Sequence, residues 1–164
     1  MYWGDRQIWC ATSTDLINWA PVEKEGAEDN KSNLNNTSGE SSSLIIALPT
    51  RRGKFDSNIV ESGPPAMMTI NGILLIYNGM NAPKIGDPAL PAGTYAAAQV
   101  LFDKNDPTKI LKRMNTYFIK PEKPYEISGQ VNKVCFVEGL TEYKNKWFLY
   151  YGTADSKIAV ASNP

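Results

Sequence analysis

Gly72-Ile73-Leu74-Leu75-Ile76-Tyr77-Asn78-Gly79, followed by Tyr95-Ala96-Ala97-Ala98-Gln99-Val100-Leu101-Phe102, decides the fold. An aromatic strand ends in Tyr-x-Gly, a polar connection follows, and an Ala-rich strand returns. The same figure recurs twice. Tyr2-Trp3-Gly4 precedes Ile8-Trp9-Cys10-Ala11-Thr12, and Tyr150-Tyr151-Gly152 precedes Ile158-Ala159-Val160-Ala161. The interval is roughly 75 residues in both cases, a period that suits one four-stranded propeller blade with generous loops. The small alanines suit inner strands crowded around a central axis. The alternative is a β-sandwich with coincidental hairpins.

Outward from these hairpins the pattern stays all-β. The runs Lys133 to Val137 and Trp147 to Tyr151 are also short, rich in β-branched and aromatic residues, and bounded by Gly, Asn, Asp and Pro. Helix-period stretches are hard to find. Glu23 to Ser43 is polar and low in complexity and reads as a solvated, mobile surface loop. Gly79 to Gly93 is a second long loop, stiffened by Pro83, Pro88 and Pro91, while Asp103 to Arg113 and Pro121 to Gly129 read as further connections. No linker divides residues 1–164, so a single all-β domain is expected.

Composition narrows the chemistry. The chain has 164 residues with 17 Lys plus Arg against 17 Asp plus Glu, and no polybasic segment. This argues against a broad nucleic-acid surface or an anionic membrane partner. No apolar run approaches the roughly 20 residues of a membrane-spanning helix. Met1 is followed by no charged and then apolar leader, so no signal peptide is expected; a lost beginning would give the same pattern, and the compartment stays open between cytoplasm and periplasm. Histidine is absent, which excludes Ser-His-Asp and Cys-His catalysis and imidazole-ligated metals within this chain. Cys10 and Cys135 lie in apolar runs far apart in sequence and read as small buried hydrophobes. The turns at Asp15, Asp103 and Asp106 lack the spacing of a calcium loop, so no metal site is expected.

The densest motif is Phe55-Asp56-Ser57-Asn58-Ile59-Val60-Glu61-Ser62-Gly63-Pro64-Pro65-Ala66. Gly-Pro-Pro directly after a strand enforces an extended, rigid backbone and so holds Glu61 in a fixed place. A solvated strand-end Glu is the plainer reading. Asp56 is expected to bond the turn backbone.

With these residues in view, the sequence resembles glycoside hydrolase family 130. The resemblance runs nearly end to end: Ala11-Thr12-Ser13-Thr14-Asp15-Leu16 with Trp19, Phe55-Asp56-Ser57 with Gly63-Pro64-Pro65, and Gly72 to Gly79. It continues through Leu101-Phe102-Asp103 with Asp106-Pro107-Thr108-Lys109, then Pro121-Glu122, Tyr125-Glu126 and Gly129, to Tyr150-Tyr151-Gly152-Thr153-Ala154-Asp155. It implies a five-bladed β-propeller acting on β-mannosides, of which residues 1–164 would be the C-terminal half, two to three blades, partnered by the remaining N-terminal blades.

The resemblance also implies an inverting mechanism in which an Asp upstream of this chain protonates the glycosidic oxygen. In the phosphorylases of the family the attacking group is inorganic phosphate, held by cations. A phosphate-binding Lys falls at Ile59, a motif Gly at Glu61 and a phosphate-binding Arg at Gln7. These replacements resemble the exo-β-1,2-mannosidase branch, where carboxylates activate water. Glu61 matches one such acid and Asp5 the other, although the branch more often has Glu at the second position. Asp155 matches a residue that bonds hydroxyls of the mannose being cleaved. Asn78, where the family often has His, is a further candidate sugar contact. Tyr77 and Tyr95 are candidate stacking faces, with core packing as the alternative, and Glu126 and Arg52 are candidate contacts that read equally as structural or solvated groups. The expected activity is hydrolysis of β-mannoside oligosaccharides without a cofactor. Phosphorolysis is the second reading and a non-catalytic sugar-binding propeller a third, with a homo-oligomer left open.

Overall fold

The computed structural model describes residues 1–24 and 43–163. Among them the regular elements are strands, apart from the four-residue helix α1 (Pro124–Ile127). The strands form three antiparallel sheets, and each sheet is built on one of the three recurring hairpins.

In the first sheet β1 (Tyr2–Trp3) pairs with β2 (Ile8–Thr12), and β3 (Ala20–Pro21) and β4 (Ile46–Leu48) share the other edge of β2. In the middle sheet β7 (Gly72–Met80) carries β5 (Ile59–Ser62) and β6 (Met67–Thr69) on one edge and β8 (Tyr95–Phe102) on the other, with β9 (Ile110–Arg113) outside β8. The third sheet runs β10 (Cys135–Tyr143), β11 (Lys146–Thr153), β12 (Lys157–Ser162). The loop expected at Glu23 to Ser43 falls mostly on residues 25–42, outside the described residues. Its two ends meet where the Lys24 N–H donates to the Ser43 carbonyl at 2.8 Å.

β5 and β6 are one strand broken by Gly63-Pro64-Pro65. The last regular rung is the Gly63 N–H to the Ile76 carbonyl at 3.1 Å, after which two prolines offer no N–H to the ladder. Gly63 is itself required: a Cβ there would come 2.9 Å from the Ile76 carbonyl and 3.0 Å from Val137 of the third sheet.

The sheets stack face to face through two apolar cores. Ile8, Cys10, Ala47 and Leu48 of the first sheet pack on Val60, Leu75, Tyr77, Ala96, Ala98, Val100 and Phe102 of the middle one. Ile76 and Ala97 face the other way, onto Cys135, Val137, Leu149 and Tyr151 of the third sheet. This alternation is the period-2 reading of a strand buried on both faces. It also corrects the expectation for the alanines. β8 lies between β7 and β9, and Ala96, Ala97 and Ala98 are small because neighbouring sheets press on both of its faces. Cys10 and Cys135 are free and buried, as expected, and burial pushes the Cys135 thiol up to about 12, which leaves it unreactive.

Two expected connections contain structure. β9 lies within Asp103 to Arg113 and α1 within Pro121 to Gly129. β9 leaves no strand signal in the sequence because it is a mostly exposed edge strand, Ile-Leu-Lys-Arg, with no buried face to impose an alternating pattern. Asn78-Gly79, expected to end a strand, stays inside β7, paired with Glu61 and Val60 on one side and Ala97 and Ala96 on the other.

Candidate functional site

The segment from Phe55 to Glu61 delivers two carboxylates into opposite surroundings. Asp56 is fully buried. It accepts hydrogen bonds from Arg51 Nη2 at 2.7 Å, Arg113 Nη2 at 2.6 Å and the Tyr77 hydroxyl at 2.7 Å. Arg113 also reaches the Pro49 carbonyl and Arg51 the Met114 carbonyl, so the network ties residues 49–57 to β7 and β9. The expected bond from the Asp56 side chain to the turn backbone is not made. Two guanidinium groups claim the carboxylate, and the Arg51 N–H goes instead to the Asp56 carbonyl.

Glu61 lies at the opposite extreme. Its Oε2 is buried and has no hydrogen-bond partner among the described residues. Burial first, and the negative charge of Asp5 second, raise its pKa above the ordinary glutamate value, while the Tyr95 hydroxyl pulls it back down. Asp5 comes from the β1–β2 turn, which is tied to β5 by the Val60 N–H to the Arg6 carbonyl at 3.3 Å and by Ser62 Oγ to the Tyr2 carbonyl at 3.3 Å. Gly4 lets that turn form, since its φ is +135° and a Cβ would strike the Gln7 carbonyl.

Tyr95 opens β8. Its N–H donates to the Lys133 carbonyl at 3.0 Å and its ring rests against Phe136 at 5.8 Å between centroids. Burial comes first, then Glu61, and then the charges of Asp5 and Asp155; together they push its phenol up to about 12. Asp155 projects from the β11–β12 turn, where Ala154 and Asp155 both adopt left-handed backbone, φ 46° and 50°. Glu61 from the middle sheet, Asp5 from the first and Asp155 from the third thus act on one tyrosine hydroxyl.

Other candidates from the sequence are not part of this group. Tyr77 is fully buried and bonded to Asp56, Arg51 and Arg113, so it offers no stacking face; its packing alternative is the observed one. Asn78 is fully buried, with Nδ2 donating to the Val137 carbonyl at 3.0 Å and Oδ1 accepting the Val137 N–H at 2.8 Å. It serves β10 as a strand edge would and has no donor aimed at a sugar. Glu126 is 4% exposed. Its Oε2 accepts the N–H groups of Glu122 and Lys123, and its Oε1 accepts the Tyr151 hydroxyl. Burial pushes its pKa up, but these donors outweigh burial and hold it below the usual value. Arg52 is exposed, as its solvated reading had it. Phe136 and Lys133, which seat Tyr95, carry no sequence signal because they reach it only through the packing of two sheets.

Comparison with known proteins relates the chain to carbohydrate-active enzymes. The glycoside hydrolase 130 family model, described as beta-1,4-mannooligosaccharide phosphorylase, matches residues 1–164. The beta-1,2-mannobiose phosphorylase of Listeria innocua is 30% identical over 156 residues, covering 95% of this chain and 35% of that protein. A crystal structure of a glycosyl hydrolase from Bacteroides ovatus aligns with a TM-score of 0.82 at 43% identity, covering 98% of this chain and 41% of that one. A structure described with the GH130 glycoside hydrolases that target beta-1,2 mannosidic linkages in Candida mannan aligns with a TM-score of 0.83 at 44% identity, with coverage of 98% and 41%. The chain therefore spans well under half the length of these proteins.

Proposed function

The chain belongs to glycoside hydrolase family 130, and from that premise we propose that it is part of a β-mannoside hydrolase in which Glu61, with Asp5, activates water while Asp155 holds the mannose being cleaved. In the same reading its three sheets are blades of a five-bladed propeller. The face-to-face stacking of the sheets supports this.

The observation that carries the reading is Glu61 Oε2, a buried carboxylate oxygen without a donor among the described residues. Such an oxygen is an acceptor for the O–H of an attacking water, and a carboxylate with a raised pKa is a better base at neutral pH. The groups acting on its charge among the described residues are Asp5 and Tyr95, neither of them a cation. Phosphate, a dianion, would meet repulsion there rather than the Lys and Arg it requires. In an inverting displacement Glu61 takes a proton from water as the water oxygen attacks the anomeric carbon, and an acid on the opposite face protonates the leaving oxygen. That acid is assigned to no residue of this chain.

Phosphorolysis is the second reading, and a specific observation favours it. The curated relatives are phosphorylases acting on β-1,2-mannobiose, 1,2-β-oligomannan or β-1,4-mannooligosaccharides, so by relatives' names phosphorolysis is better supported than hydrolysis. Hydrolysis rests on the residues around Glu61 and on the 43–44% identity to structures described as hydrolases. The deciding experiment incubates the intact enzyme with β-1,2-mannobiose with and without phosphate. Mannose release without phosphate is expected. Strict dependence on phosphate, with mannose 1-phosphate as product, would give the site to phosphorolysis.

A further inference from the structure

The turn that carries Asp155 is held from outside its own hairpin. Ala154-Asp155-Ser156 joins β11 to β12, and the Ser156 N–H donates to the Thr153 carbonyl at 3.0 Å. Ala154 and Asp155 both have positive φ, the pattern of a type I′ turn, which Asn-Gly usually supplies. Aspartate tolerates that backbone, but in alanine the Cβ crowds the following carbonyl. Such strain persists where the surroundings over-determine it. The buried Ala154 donates its N–H to the Val134 carbonyl at 3.1 Å, and its own carbonyl accepts the Val131 N–H at 3.1 Å and the Ser156 hydroxyl at 3.0 Å. Ser156 Oγ in turn accepts the Gln130 N–H at 2.8 Å. Gly129 permits the approach, since a Cβ there would lie 2.5 Å from the Ala154 carbonyl oxygen and 2.6 Å from Ser156 Oγ. The far side of this segment is pinned as well: the Lys133 N–H donates to the Ile127 carbonyl, and Glu126 accepts the hydroxyl of Tyr151, two residues before Thr153. The turn at the other end of β11, Lys144-Asn145, also has positive φ at both residues, and among the described residues no other segment hydrogen-bonds to it. A hairpin turn of this shape therefore needs no such support to form.

We propose that Gly129 and Ser156 are positioning residues for Asp155: the segment 129–131, docked on Ala154 and Ser156, fixes the backbone of Asp155 so that its exposed carboxylate meets the mannose hydroxyls from one place. This rests on the role given to Asp155 above, and it holds whether water or phosphate attacks. A carboxylate already fixed before the sugar arrives spares binding the cost of ordering it. Hydroxyls gripped alike in the ground state and the transition state contribute uniform binding, so a loosened grip raises KM and leaves kcat.

The test is Ser156→Ala in the intact enzyme, assayed on β-1,2-mannobiose with phosphate present. Ser156 is exposed, so the variant deletes the clamping hydroxyl without opening a core. The expected result is a KM raised on the order of 5-fold with kcat within about twofold. Gly129→Ala, whose Cβ would push the segment off the turn, should raise KM further. An unchanged KM in Ser156→Ala overturns the proposal, and so does a fall in kcat alone. Asp155→Asn supplies the readout that a merely structural role would not move. Asparagine keeps the preference for left-handed backbone and loses the charged grip on hydroxyls, so KM should rise in that variant too. Adding Ser156→Ala to Asp155→Asn should then change KM by less than about 1.5-fold, because the serine acts through the carboxylate. Independent, multiplying effects overturn the proposal. The same variant separates the two failures. A wild-type KM in Asp155→Asn defeats the sugar-holding role of Asp155 and this inference with it, whereas a raised KM there beside a wild-type KM in Ser156→Ala defeats only the positioning.

Discussion

Asp56 and Glu61 lie five residues apart on one segment, and their surroundings differ in sign. Asp56 is enclosed by Arg51, Arg113 and the Tyr77 hydroxyl, its charge answered on every side. Glu61 has a buried oxygen with no donor of its own and a second acid beside it. The first arrangement is what a protein does with a carboxylate it uses to join segments. The second costs stability and persists only where something else requires it. Depth alone does not separate them, because Asp56 is the more deeply buried of the two.

The sharpest way to break this comparison is Asp56→Ala. It would leave the nearly buried guanidinium of Arg113 without its counter-ion, and removing one partner of such a pair costs about 3–5 kcal/mol. Thermal unfolding of the intact enzyme should show a large loss; an unchanged midpoint would mean that the network joins nothing. Glu61→Gln should do the reverse, lowering kcat on the order of 10²-fold while leaving the fold intact. A fully active variant would return Glu61 to an ordinary strand-end residue.

Asn78→Ala tests a residue that the family resemblance placed near sugar and the structure places between sheets. Two hydrogen bonds to the Val137 backbone would be lost, about 1–3 kcal/mol of stability, with KM unchanged. A raised KM at unchanged stability would restore it to the sugar site. The smallest effect sharpens the electrostatics of Glu61. Its pKa is raised in the folded state, so the folded protein binds the proton more tightly than the unfolded chain, and the stability this contributes at low pH is lost as pH rises through the folded value. Glu61→Gln should therefore unfold at a slightly higher temperature than wild type above the carboxylate range. The difference should vanish as pH falls below it, when glutamic acid and glutamine are both neutral. A difference that grows toward low pH would show that the ionised form is favoured by folding.

Much of this was legible along the chain. The three hairpins stand where Tyr-x-Gly and Ala-rich runs recur, β2 and β8 have the expected bounds, and Gly63-Pro64-Pro65 does end a strand, because proline lacks an N–H wherever it occurs. Glu61 stands out by its neighbours in sequence, and the family resemblance adds Asp5 and Asp155 as candidates beside it. What misled was chemical type without partners. Tyr77, Asn78 and Glu126 carry groups that suit sugar binding, and each is spent on the protein: Tyr77 on Asp56, Asn78 on the Val137 backbone, and Glu126 on Tyr151 and the Glu122 and Lys123 N–H groups. β9 and α1 are too short to leave a periodic trace in the sequence.

The sequence by itself determined the class of fold, the order of hairpins and the family, since these follow from local periodicity, composition and ordered motifs. Only the tertiary structure decided which carboxylate is paired and which is not. The charge state of an acid depends on donors and charges within a few ångströms, and the packing of the sheets, not adjacency along the chain, brings Arg113 to Asp56 and Asp5 to Glu61.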